Sequence, residues 1–219
     1  MCYILNTLRE PVNSISHGAA AIASIAGLTF LIIASSLKGS AWHIVSFTIF
    51  GSTLVMMFTS SALYHGLKVS GGKLAILRRI DHIMIFLLIA GTYTPICLLP
   101  LRGYWGWSIF GFVWSLAFTG IIIKVFFMNV PRLVSTLIYL VMGWICIVAI
   151  YPIITSLQAV SIAWLVAGGF FYTIGAVIYT LKKPDLFPNI FGFHEIWHIF
   201  VIVGSSCHFW LIYKYLLDY

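Results

Sequence analysis

Histidine and glutamate stand in the pattern HEIWH, His194 to His198, at the start of an apolar segment late in the chain. The spacing puts both imidazoles on one face of a helix, one turn apart, which is the geometry that grips a zinc ion. Two further polar clusters lie upstream in apolar surroundings: SALYH, ending at His65, and RRIDH, containing Asp81 and His82. Imidazole suits zinc, and three neutral histidines, His65, His194 and His198, leave a fourth tetrahedral position for water, as catalytic rather than structural sites do. Water so placed has a pKa near ~7. Asp81 is the candidate to hold that water or accept its proton. Ser61, one turn before His65 on the same helical face, is the candidate to hydrogen-bond a substrate carbonyl or a neighbouring polar group. Ligand type alone leaves cobalt, nickel or iron open beside zinc.

The HExxH pattern on its own also fits zinc proteases, in which the glutamate is the general base, so Glu195 invites that reading. Against it, no soluble catalytic domain and no later acidic motif supply a third ligand. The plainer alternative for the whole constellation is a buried polar network that ties helices together.

Hydropathy defines the elements that must position these residues. The 219 residues are 62% hydrophobic and 8% charged, and the mean hydropathy of +1.07 is far above that of a soluble globular chain. Seven apolar stretches bounded by charge, Pro or Gly are expected to cross a membrane: 16–37, 41–67, 81–99, 104–127, 134–154, 161–181 and 193–217. They predict an all-α, integral membrane bundle of seven transmembrane helices forming a single domain over residues 1–219. The first stretch is too long for a signal-peptide core and is expected to be retained. Cys2, Cys97, Cys146 and Cys207 are scattered without a CxxC pair and read as small buried hydrophobes.

Nine of the twelve Lys and Arg residues fall on one set of faces, with only Lys38, Arg102 and Lys214 on the other. The positive-inside rule then makes the N-terminus cytoplasmic and the C-terminus external. The formal charge of +7 is mostly this topology signal plus contact with anionic headgroups, and argues against nucleic acid as a partner. In this topology His65, Asp81, His194 and His198 all arrive at the inner side. His43 lies roughly 33 Å from His65 along one helix and His208 roughly 21 Å beyond His194, so neither can share the site. His17 and His82 sit at inner ends as rival ligands or interfacial groups, and Glu10 and Asn13 as a polar cap or ordinary helix-terminal residues. Pro95 is expected to kink the third span.

The motifs SALYH, RRIDHIMIFLLIAGTYTP and FGFHEIWHIFVIVGSSCHF together resemble the haemolysin III proteins, bacterial relatives of the progestin and adipoQ (adiponectin) receptors within a superfamily that includes alkaline ceramidases. The resemblance implies a seven-helix bundle with zinc near the inner leaflet of the bacterial plasma membrane. It implies that His65, His194 and His198 are the ligands, Asp81 the aspartate near the water, and Ser61 the serine of the SxxxH motif. Glu195 has no metal role in that pattern. The superfamily's chemistry implies hydrolysis of a lipid amide or ester, with membrane lipids as environment and substrate. The alternative is a non-enzymatic, receptor-like or cytolytic membrane protein with a structural zinc. A channel or proton-coupled transporter is a third reading, disfavoured because no ladder of ionisable groups reaches the outer face. Oligomeric state is not legible.

Overall fold

A computed structural model describes residues 7–127, 130–187 and 190–219. Helices account for the architecture, and there is no β-strand among the described residues. In chain order they are α1 (Pro11–Lys38), α2 (Ala41–Gly66), α3 (Gly71–Leu98), α4 (Tyr104–Phe126), α5 (Arg132–Trp144), α6 (Ile150–Ser156), α7 (Ala159–Leu181) and α8 (Phe193–Tyr215). A 3-10 segment, Ile145–Ala149, joins α5 to α6 in one interrupted rod. Six rods are long and apolar enough to cross a membrane: α1, α2, α4, the α5–α6 rod, α7 and α8. α3 is packed among them, and its C-terminal half, from Ala90 to Leu98, is buried throughout.

The expected stretches and the helices agree closely except at polar ends. α1 begins at Pro11 and α3 at Gly71, earlier than hydropathy implies, because a helix continues wherever its backbone hydrogen bonds do, whether or not the side chains are apolar. Proline at the first helical position of α1 loses nothing, since that N–H has no helical partner. Pro95 lies within one turn of the end of α3, where the missing bond disturbs little of the helix.

The outer faces carry large exposed side chains such as Ile22, Phe30, Phe112, Phe118 and Val148, as expected for rods that meet hydrocarbon. Inside, Phe47, Phe50 and Phe58 of α2 are almost completely buried. α2 and α3 approach closely at Gly91, where an added Cβ would run into Thr53; small residues permit such crossings between membrane helices. Cys97 and Cys207 are buried and Cys146 half-buried, all free thiols, while Cys2 lies outside the described residues.

The break in the fifth rod is absent from the expected continuous span 134–154. It is held by Tyr93 of α3, whose hydroxyl donates to the Gly143 carbonyl at 2.7 Å and accepts from the Cys146 N–H at 3.0 Å. A side chain inserted into the backbone ladder is a recognised cause of such breaks. Tyr93→Phe would strand two backbone groups in an apolar setting, and should lower stability in detergent by about 1–3 kcal/mol. An unchanged thermal unfolding midpoint would show that the break is set by something else.

Candidate metal centre

The end of α2 and the chain before α1 complete one another. The last carbonyls of a helix lack intrahelical donors, and at α2 the Arg9 N–H donates to Gly66 O at 3.2 Å and the Glu10 N–H to His65 O at 2.9 Å. This pairing sets the Glu10 carboxylate against His65 Nδ1, with Arg9 at 3.2 Å from the other carboxylate oxygen and stacked over the Tyr64 ring. Burial works against the Glu10 charge, but His65 and Arg9 outweigh it and hold the carboxyl below the usual glutamate range.

α8 starts with a one-sided cap, because its N-cap residue is Gly192 and only Glu195 has a side chain to offer. Glu195, at the third helical position, accepts the Gly192 N–H at 2.8 Å and, through its other oxygen, the Asn13 side-chain amide at 2.7 Å. Glu195 is therefore engaged in capping α8 and clamping it to α1, which removes it as the general base of the protease reading. The cap sets the first turns of α8 so that His194 and His198 face α2.

His65, His194 and His198 offer ligand nitrogens that all lie within 4.8 Å of one another, and together can hold a metal ion. Their rings meet edge to face at centroid separations of 4.7–5.0 Å. His65 Nε2 and His198 Nδ1 are buried without a hydrogen-bond partner, an arrangement that calls for a further partner. With Glu10 on Nδ1, His65 keeps Nε2 free for a metal, the carboxylate–histidine pairing that fixes ring orientation and raises ligand basicity at metal sites.

The other candidates fall around this centre. Asp81 accepts a hydrogen bond from the Ser61 hydroxyl, and both line the same cavity as the three histidines, about 290 Å³ in volume. Every rod contributes to this cavity from the same end, Glu10 of the α1 approach, Ser61, Asp81, Lys124, Arg132, Tyr179 and His194 in turn, so successive rods alternate in direction. His17 is not one of the cluster: its ring stacks on His198 at 3.7 Å between centroids and meets Phe58 edge-on. His82 lines the cavity and its carbonyl accepts from Tyr139. His43 binds the Leu216 carbonyl at 3.2 Å, and His208 stacks against Tyr172, both away from the cluster as the helix ruler requires.

A second cavity, about 180 Å³ and almost entirely apolar, adjoins the first. The two share Met57, Ile85, Tyr139, Ala176 and Trp197 as walls. The interrupted rod lines it through Gly143, Trp144, Cys146 and Ile147.

These features define a multi-pass helical membrane protein with a three-histidine cluster able to hold a metal in a polar chamber at one end. The chain belongs to the haemolysin-III-related family, whose pattern matches residues 5–209. It is 44% identical over 210 residues to the "Hemolysin-3 homolog" of Bacillus subtilis (strain 168), covering 95% of each chain. It is 41% identical to "Hemolysin-3" of Bacillus cereus, covering 95% of this chain and 92% of that one. A "Monocyte to macrophage differentiation factor" of Homo sapiens is 26% identical over 93% of this chain and 83% of its own length.

The roles of Glu10 and Glu195 separate on substitution. Glu10→Ala should weaken metal affinity by about 10–100-fold and leave the three imidazoles in place. Glu195→Ala should keep the metal and lower stability by about 1–2 kcal/mol. Metal titration and thermal unfolding of the two purified variants check this, and metal loss on Glu195→Ala would reopen the assignment of that residue.

Proposed function

We propose that the protein is a zinc-dependent hydrolase of a membrane-lipid amide or ester, working near the inner leaflet. The observation that carries this reading is the convergence of His65, His194 and His198 with the Ser61–Asp81 pair in a polar chamber that adjoins an apolar one. That shape suits an amphiphile whose polar bond lies at the histidines and whose acyl chain lies between α3, the α5–α6 rod and α7. Supporting the inner location, the site end of the bundle carries most of the Lys and Arg residues; with α3 counted, the rods make seven spans with a cytoplasmic N-terminus.

Zinc held by the three imidazoles would supply Lewis acidity and a water acidified towards neutral pH. The chain's own residues do the rest. Asp81 is the proton acceptor and then the donor to the leaving group, since it is the carboxylate that lines the chamber without a cationic partner among the described residues. Ser61 orients Asp81 through its hydrogen bond, and can turn its hydroxyl to a substrate carbonyl. Glu10 and His17 hold the rings of His65 and His198. Trp197 and Met57, at the shared wall, exclude bulk water from the scissile bond.

The name of the Bacillus cereus relative, Hemolysin-3, favours a second reading in which the protein damages membranes and the metal only ties α2 to α8. Asp81→Asn distinguishes the two. In the hydrolase reading this variant keeps about one zinc per chain, by mass spectrometry of protein purified without a His tag, while turnover of ceramide-like or phospholipid substrates falls by about 10²–10⁴-fold. Lipid hydrolysis that survives in Asp81→Asn, or in a His194→Ala/His198→Ala variant, would sink the hydrolase reading. Cell lysis unaffected by Asp81→Asn would support the second.

A further inference from the structure

Lys124 is 3% exposed, and its ammonium donates to the Ser135 hydroxyl at 2.7 Å. A buried ammonium has three donors to satisfy and needs an opposite charge nearby. The five carboxylates of the chain do not supply one. Glu10 is taken by His65 and Arg9, Glu195 by Asn13 and Gly192, and Asp81 accepts from Ser61. Asp185 lies beside Gly192, and Asp218 follows α8 at the opposite end of the bundle. The residues outside the description contain no Asp or Glu.

Two more cations face the same chamber. Arg132 lines it and gives one N–H to the Tyr179 carbonyl at 3.2 Å, with its guanidinium over the Tyr179 ring at 4.4 Å; further donors of its fork stay available. Arg78 is exposed at the rim of the same chamber, close enough to Lys124 for the two charges to repel. Among the described residues neither arginine has a carboxylate partner. Three cations converge without a paired carboxylate, on a chamber that Asp81 and Glu10 line as well, and leave a local positive patch that suits an incoming anion.

We propose that Lys124, Arg132 and Arg78, with the Ser135 hydroxyl, form a binding site for the phosphate group of an anionic amphiphile. The inference rests on the lipid-hydrolase reading and names its substrate class as acidic phospholipids rather than neutral lipids. A phosphate presents several acceptor oxygens at once, matching a point charge and two guanidinium forks. The adjoining apolar chamber assigns the phosphate to a lipid rather than to free phosphate.

The test titrates dodecyl phosphate into the full chain in maltoside micelles, reading tryptophan fluorescence and Tm. Saturable binding is expected, weakened about tenfold or more by Lys124→Met and largely retained by Lys124→Arg. An Arg78→Gln/Arg132→Gln double variant, altered towards the rim, should lose as much and carries the test should Lys124→Met fail to fold. The neutral probe N-dodecanoylethanolamine should bind more weakly and ignore these substitutions. Equal affinity of wild type and both charge-removing variants for dodecyl phosphate overturns the proposal. Inorganic phosphate competing as tightly as dodecyl phosphate overturns the lipid assignment in favour of free phosphate. Because dodecyl phosphate has no acyl bond to cleave, failure of binding and failure of hydrolysis are read separately.

Discussion

Imidazoles and carboxylates cannot stand alone in an apolar bundle, and this constraint organises the protein. A polar group drawn inside is costly unless it finds a partner there, because hydrocarbon offers none. Glu10 meets His65, Glu195 meets Asn13 and the start of α8, and Ser61 meets Asp81. These links join α1, α2, α3 and α8 at one end, and the three histidines lie where they converge. The site and the packing of this end of the bundle are thus one arrangement.

The remaining rods shape what the site can accept. Tyr93 opens the fifth rod by satisfying its backbone at Gly143 and Cys146, and the interrupted stretch forms one wall of the apolar chamber. A regular helix there would present a different wall. The polar chamber therefore has an apolar neighbour through contacts remote from the histidines, and its basic side comes from Arg78 of α3 and the facing ends of α4 and α5. Carboxylates near the cluster and cations elsewhere on the wall divide the chamber electrostatically, which under the proposed function would favour one orientation of an amphiphilic ligand.

Much of this was legible from local pattern. One-turn spacing brought His194 and His198 onto one face, and the count of spans placed His65 and Asp81 at the same depth, because both inferences use only helical rise and hydropathy. Glu10 was visible as a polar residue but not as the partner of His65, which lies 55 positions away. Glu195 looked like a protease base until Asn13, 182 positions earlier, was seen to hold it. Lys124 counted only as a topology charge, since its burial and its want of a carboxylate are facts of packing. The break in the fifth rod has a local signal in Pro152, which cannot donate to the carbonyl four residues before it, but the tyrosine that satisfies the opened backbone stands on another helix.

Composition and spacing alone determined an all-helical membrane chain with three histidine-bearing motifs, since hydropathy and the 3.6-residue period are properties of short segments. Only the tertiary structure decided which polar groups pair, which imidazole nitrogens stay unpaired, what satisfies the interrupted helix and which cations face the chamber. Those outcomes depend on contacts between residues far apart in the chain, whose meeting is set by how the helices pack.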